Sequence, residues 1–540
     1  MDTAMAAMAS PASSKRLFLL ICLASTAALG GDWKFTPSLA LSERYSDNVN
    51  LSTSGREESD WITEISPRIS LQRSGARIRA DVDYSLQGLL YANDSDRNTL
   101  RHHLNGQSSS ELVEEWLFLD AGARISHELV NLTSNGGLGD GVGAGNTTAV
   151  GSYSFSPYIK HRFGSVTSVE ARIAQDGVFI GNAGFSDTAA TRYSLSAISG
   201  NRFMPLSWSA SFSKSDTSNS GALADSSSER ASGNARYQLS KKFGLLAQAS
   251  MEKNDFTGAN AAVRDYSSYG LGAFYSPSRR ITMDVYFNDS DNGKFVSGSA
   301  TVSPTLRTSI NVASTKRAFG RSNTLNLAHR TRKSNWSLSY QDDLTTSQQQ
   351  FQNRTLILAD LTTFQQQLQT SQFLGLVWEC PTGLKQFDIN TPRPDLACVL
   401  KSLFASNSSA LINQTFVSKT MSGTVSYSLR RNTLMFSVYD TRREFQSLLA
   451  GNDTTCGLQA SWSLRPAAHT TFTLTGGMSK QASSTGNRQD DLWNLALTAS
   501  HQFQSKLTGS LEARHQQRES NLPNNDFTEN SVAARLNMSF

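Results

Sequence analysis

From Trp33 to Phe540 this chain is written in steps of two. In Ser531–Phe540, "SVAARLNMSF", Val532, Ala534, Leu536, Met538 and Phe540 share one face of an extended backbone, and Ser531, Ala533, Arg535, Asn537 and Ser539 share the other. Further back, Leu507, Gly509, Leu511 and Ala513 alternate with Lys506, Thr508, Ser510, Glu512 and Arg514. Near the start, Ile78, Ala80, Val82, Tyr84 and Leu86 alternate with Arg77, Arg79, Asp81, Asp83 and Ser85. Successive side chains of a strand point to opposite faces, so a period of two with one apolar face marks strands.

A soluble β-sandwich alternates too, so the connections decide. Short ones recur at Ser74-Gly75, Phe163-Gly164, Lys241-Lys242, Ser276-Pro277-Ser278, Arg431-Asn432, Pro466-Ala467 and Gln504-Ser505. Between them lie longer polar stretches at 45–60, 130–147, 215–228, 256–264, 483–490 and 518–527. Short turns alternating with long loops is the asymmetry of an outer-membrane barrel. The spacing predicts an all-β, antiparallel transmembrane barrel of about 24 strands (roughly 18 to 26), an even number as such barrels prefer. Closure has a physical motive, because an open sheet edge finds no hydrogen-bond partner in lipid.

Composition removes the competitors. Only 38% of residues are hydrophobic, and mean hydropathy is −0.36, which excludes a helical membrane bundle. Aromatic residues at 9% exclude a disordered chain. A net charge of +5 over 540 residues, without a Lys/Arg block, gives no support to nucleic-acid binding. Lys15 and Arg16 precede the apolar run Leu17–Ala24 and then small residues to Gly30-Gly31, the pattern of an export signal over 1–30. That leaves 31–540 as the barrel. No plug-like domain precedes the first strand, which counts against a TonB-dependent transporter.

One segment breaks the alternation. From 346 to 413 the chain carries two Gln-rich runs and an expected short helix near 356–373, and is read as an extracellular or lumenal insertion that occludes a wide pore. Cys380 and Cys398 lie in it, and an exported chain meets oxidising conditions, so they are the disulfide candidates. Such a bridge would constrain the insertion by around 3 kcal/mol. Cys456 alternates with Leu458, Ala460, Trp462 and Leu464 and is expected as a lipid-facing thiol.

Little else suggests chemistry. The stretch "NGGLGDGVGAGN" at 135–146 matches neither a phosphate-binding nor a calcium-binding spacing. His102 and His103 are adjacent and point opposite ways on a strand. No nucleophile motif is present, and no cofactor or metal is called for. The polar faces supply the better candidates: Arg77, Arg79, Asp81, Asp83, Glu512, Arg514 and Arg535 are predicted to line the lumen, among Ser, Thr, Asn and Gln. Such a lining suits hydrophilic solutes, sugars among them, and is equally what any water-filled barrel needs.

The stretches "PSLALSERYSDNVNL", "DWITEISPRISLQRSGARIRADVDYSLQGLLY", "LFLDAGARIS", "SPTLRTSINVASTKRAFG" and "RTRKSNWSLSY" resemble a family of exported proteins associated with the PEP-CTERM/exosortase system of exopolysaccharide-producing Gram-negative bacteria. Its most specific elements here are Tyr45-Ser46-Asp47-Asn48 and Ser66-Pro67. The resemblance implies an outer-membrane barrel with a part in polymer export, working with exopolysaccharide and its export machinery. It transfers no catalytic residue. Three functions remain open: an export channel or assembly component, a structural or adhesive barrel that binds surface polymer, and a barrel hydrolase. In each the surroundings are outer-membrane lipid and lipopolysaccharide. The terminal Phe540 resembles the signal read by the barrel-assembly machinery.

Overall fold

A computed structural model describes residues 33–129, 147–181, 187–220, 225–256, 265–346, 415–445, 452–484 and 487–540. The signal segment, the Gly-rich stretch 135–146, the insertion with Cys380 and Cys398, and the helix expected near 356–373 lie outside them.

The first eight strands are β1 (Trp33–Ser46), β2 (Asp60–Ser74), β3 (Ile78–Tyr91), β4 (Thr99–Val113), β5 (Leu117–Leu129), β6 (Thr147–Phe163), β7 (Thr167–Ile180) and β8 (Thr188–Ser199). Next come β9 (Leu206–Asn219), β10 (Ser226–Gln238), β11 (Phe243–Phe256), β12 (Tyr266–Ser278), β13 (Ile281–Ser290), β14 (Phe295–Thr305), β15 (Thr308–Arg317) and β16 (Gly320–Arg330). The chain continues through β17 (Ser334–Thr346), β18 (Thr415–Ser428), β19 (Asn432–Phe445) and β20 (Asp453–Ala467). It ends with β21 (Thr470–Ser483), β22 (Arg488–Gln504), β23 (Leu507–Ser520) and β24 (Phe527–Ser539).

Each strand pairs antiparallel with its sequence neighbours, and β24 pairs with β1 from Ser38↔Ser539 to Ser46↔Ser531, so the sheet closes. Twenty-four strands ~4.8 Å apart and tilted by ~40° trace a perimeter of about 150 Å, or about 48 Å across a round section.

Side chains divide by parity. On β2, Trp61, Ile65 and Ile69 are exposed, while Asp60, Glu64, Ser66 and Arg68 are buried. On β24, Val532, Leu536 and Met538 are exposed, as is Phe540 just beyond it, with Arg535 and Asn537 on the opposite face. A continuous band of exposed aliphatic and aromatic side chains is far larger than the few hundred Å² a soluble monomer shows. The polar face turns inward and the band faces lipid. The protein is a bacterial outer-membrane β-barrel. Cys456 is a free thiol in register with Asp440 and Lys480 on the outer side.

Several strands run further than the sequence suggests. Expected loops at 215–228 and 483–490 shrink to 220–225 and 484–487. Polar strand ends above the bilayer still pair with their neighbours, although the apolar alternation has stopped. Ser276-Pro277-Ser278 is the end of β12, with a register shift between Tyr275 and Ser278, and the turn is Arg279-Arg280. Pro67 sits where the β2–β3 ladder skips from Ile65↔Gly88 to Arg68↔Ser85, a tolerable place for a residue without an N–H.

Closure is reinforced by the Tyr45–Asn48 stretch. The Asp47 carboxylate accepts from the Asn530 backbone N–H and side-chain amide, both at 2.7 Å. The fully buried Asn48 amide donates to the Thr528 carbonyl at 2.9 Å and the Ser52 carbonyl at 2.7 Å. Ser46 donates to Glu529 at 2.7 Å. Beyond being a turn, the stretch clasps the first strand to the last.

Candidate functional site: the lumen wall

The candidate site is the inner face, and its two sides differ. On the seam side, β23, β24 and β1 to β3, inward charges meet their opposites at once. Arg68 pairs with Asp83 at 2.6 Å, with both side chains about nine-tenths buried. Gln72 donates to Asp81 at 3.1 Å. Arg514 pairs with Glu512 at 3.0 Å, and Arg535 reaches over β1 to Glu64 on β2 at 3.3 Å. Arg79 shares the parity of Asp81 and Asp83. Six of the seven charges picked from the sequence therefore lie on inward positions of this sector.

Arg77 is the exception and corrects the expectation. Strand β3 begins only at Ile78, so Arg77 belongs to the turn, 65% exposed by its side chain, and pairs with Glu114 of the next turn at 2.7 Å. A strand starting one residue late moves an end residue off the wall.

Sequence reading missed the neighbouring network. Arg172 on β7 crosses β6 to meet Asp120 at 2.8 Å and Ser156 at 3.0 Å, and lies 3.8 Å from the Tyr158 ring centroid. Inward Ser152, Ser154 and Ser156 are small enough to let β5 and β7 meet over β6. The same device recurs at β12, where Gly270 and Gly272 face inward. Over them Arg236 on β10 reaches Asp284 on β13 at 2.6 Å, and Gln248 on β11 donates to Asn288 on β13 at 2.5 Å. A Cβ on Gly272 would stand 2.1 Å from the Val285 carbonyl oxygen. Small inward residues let the sheet bend sharply at these strands.

The far wall is different. From β14 to β18 the middle of the inner face carries Thr301, Asn311, Thr324, Asn326, Ser337, Ser339, Ser422 and Thr424. They bond among themselves: Thr301 to Asn311 at 2.9 Å, Ser337 with Thr424 at 2.5 Å, and Ser339 with Ser422 at 2.7 Å. Charges return near the upper rim, where Arg317 of the short hairpin end bridges Glu252 and Asp343, each at 2.8 Å. On β9 the inward positions Ser207, Ser209, Ser211, Ser213 and Ser215 are all serine, a signal plain in "LSWSASFSKS" once its face is known. Ser211, Ser213, Ser337 and Ser339 are exposed on the lumen side, whereas Asp83, Ser85 and Arg68 are packed.

His102 and His103 do take opposite sides: His102 meets the Tyr84 hydroxyl at 2.8 Å and His103 meets Gln87 at 3.3 Å. Among the described residues no three His, Cys, Asp or Glu side chains converge as metal ligands.

No family model and no curated relative matches the chain. Solved structures similar to it are outer-membrane proteins. The siderophore receptor PirA from Pseudomonas aeruginosa is 10% identical, with a TM-score of 0.40 over 94% of this chain and 81% of that one. The FrpB iron transporter from Neisseria meningitidis is 9% identical, with a TM-score of 0.44 over 95% and 83%. OccK2 from P. aeruginosa is 8% identical, with a TM-score of 0.32 over 94% and 98%.

Proposed function

We propose that this barrel is an outer-membrane channel for a hydroxyl-rich polymer, an exported polysaccharide, as its resemblance to exosortase-associated barrels implies. The observation that carries the reading is the far wall, where exposed hydroxyl and amide groups replace charges across several strands. Such groups exchange hydrogen bonds with sugar hydroxyls as readily as with water, so a chain slides along them without a deep energy minimum. Seam-side charges are matched within the wall, so they neither trap nor repel a neutral polymer. No catalytic step is assigned. Phe540, exposed on the outer face beside Pro37, whose carbonyl accepts its N–H at 3.0 Å, is the mark we assign to the assembly machinery.

Planar-bilayer recording tests this reading on the whole chain and on a variant lacking 347–414. Large, weakly ion-selective conductance that dextran added on one side reduces is the expected result. A closed protein in both forms would sink the channel and leave a structural or adhesive barrel.

A further inference from the structure

The periplasmic turns differ sharply in charge. Five consecutive ones join β10–β11, β12–β13 and β14–β15, then β16–β17 and β18–β19. The first three carry Lys241, Lys242, Arg279, Arg280 and Arg307. The other two carry Arg332, Lys333, Arg430 and Arg431. All nine cations are exposed, and these five turns contain no acidic residue. The remaining six turns hold Arg77, Arg202 and Lys506 against Glu114 and Glu115. Arg77 is neutralised by Glu114, whereas among the described residues none of the nine has an acidic partner.

The arc is a fixed rim. Ser276 N–H donates to the Lys242 carbonyl at 2.7 Å, Ser303 to Arg280 at 2.6 Å, and Arg330 to Arg307 at 2.8 Å. Ser428 donates to Lys333 at 2.7 Å and Arg465 to Arg431 at 2.8 Å, so each turn is tied to the following hairpin. At its centre Leu306 is 99% exposed.

We propose that this arc is a docking surface for a periplasmic protein with an acidic face, seated on one side of the mouth and anchored by Leu306. Four observations select that occupant. The inner leaflet surrounds a barrel on all sides and gives no reason to confine cations to five adjacent turns. An anionic cargo would need unpaired charge to continue up the lumen, but the middle of the wall from β14 to β18 is hydroxyl and amide, and the cations around it, Arg236 and Arg317, are paired with Asp284, Glu252 and Asp343. Such a cargo would also leave past Glu57, Glu58, Asp94, Asp96 and Asp187 on the extracellular loops, which repel it. An apolar tip amid cations is the composition of a protein interface, where charge steers the encounter and a buried apolar residue holds it. The inference stands whether or not the barrel conducts.

The test uses the full chain in its host, with Leu306→benzoylphenylalanine as photo-cross-linking probe and heat-modifiable migration as the check on folding. A discrete protein adduct is expected. Its yield should fall roughly tenfold in R279E/R280E/R332E/K333E, through lost electrostatic steering, and stay unchanged in R77E/R202E/K506E. A protein adduct indifferent to the arc substitutions overturns the proposal. So does an adduct to phospholipid or peptidoglycan, or no adduct from folded protein.

Discussion

The seam side and the far wall of the lumen are built from the same alternating strands and reach opposite solutions. Across the seam, inward side chains are long, charged and packed against one another, as with Arg68 and Asp83 or Arg535 and Glu64. On the far wall they are short, uncharged and exposed, as with Ser337 and Ser339. The closing strands pair from Ser38 to Ser46, and side-chain bonds from β24 to β1 and β2 supplement that ladder. The far-wall β14–β15 ladder is no longer, from Gly298↔Ser314 to Thr305↔Thr308, yet its strands leave their inner side chains to the solute. A polar lumen is therefore not uniform: charge here serves closure, and hydroxyls form the open surface.

The largest effect that division predicts comes from breaking a buried ion pair on the seam side. Arg68→Met removes the 2.6 Å ion pair from the buried Asp83, and breaking a buried pair costs up to about 3–5 kcal/mol. Denaturant unfolding of detergent-solubilised protein should show that loss, with R68M/D83L recovering most of it. An R68M variant as stable as the parent would break the claim that seam charges hold the wall together.

Much of this architecture was legible beforehand, for a physical reason. Lipid on one side and water on the other impose the period of two on every spanning strand, so Leu536 and Arg535 declare their faces without help from context. The strand ends were less legible, because above the bilayer both faces meet water and "SKSDTSN" pairs without alternating. The functional division was not legible either. Asp83 and Ser337 each read as polar and inward, and only closure reveals that one is packed against Arg68 and the other left exposed. Arg77 shows the sharper limit, since one residue of boundary separates wall from turn. Tyr45-Ser46-Asp47-Asn48 was visible as a turn, but its bonds to Asn530 and Thr528 join residues 480 or more positions apart.

A second break concerns the bend at β12. Gly272→Ala would push a methyl group against the Val285 carbonyl, a backbone atom that cannot swing away. Overpacking of this kind costs about 1–3 kcal/mol. Gly233→Ala, which meets nothing within 4 Å, is the matched control. A lower unfolding midpoint for G272A alone is expected, and equal midpoints would mean the bend does not depend on glycine.

The smallest effect sharpens the comparison most directly. A unit charge ~10 Å away through water contributes about 0.4 kcal/mol, close to a twofold change in local ion concentration. Ser339→Lys on the far wall therefore shifts the reversal potential in a KCl gradient towards anion selectivity by about that factor. E512Q/R514M removes two charges at the seam, yet they sum to zero, so it leaves the potential where it was. Equal shifts from both would mean that the seam charges project into the lumen after all, and that the far wall has no special claim to the solute.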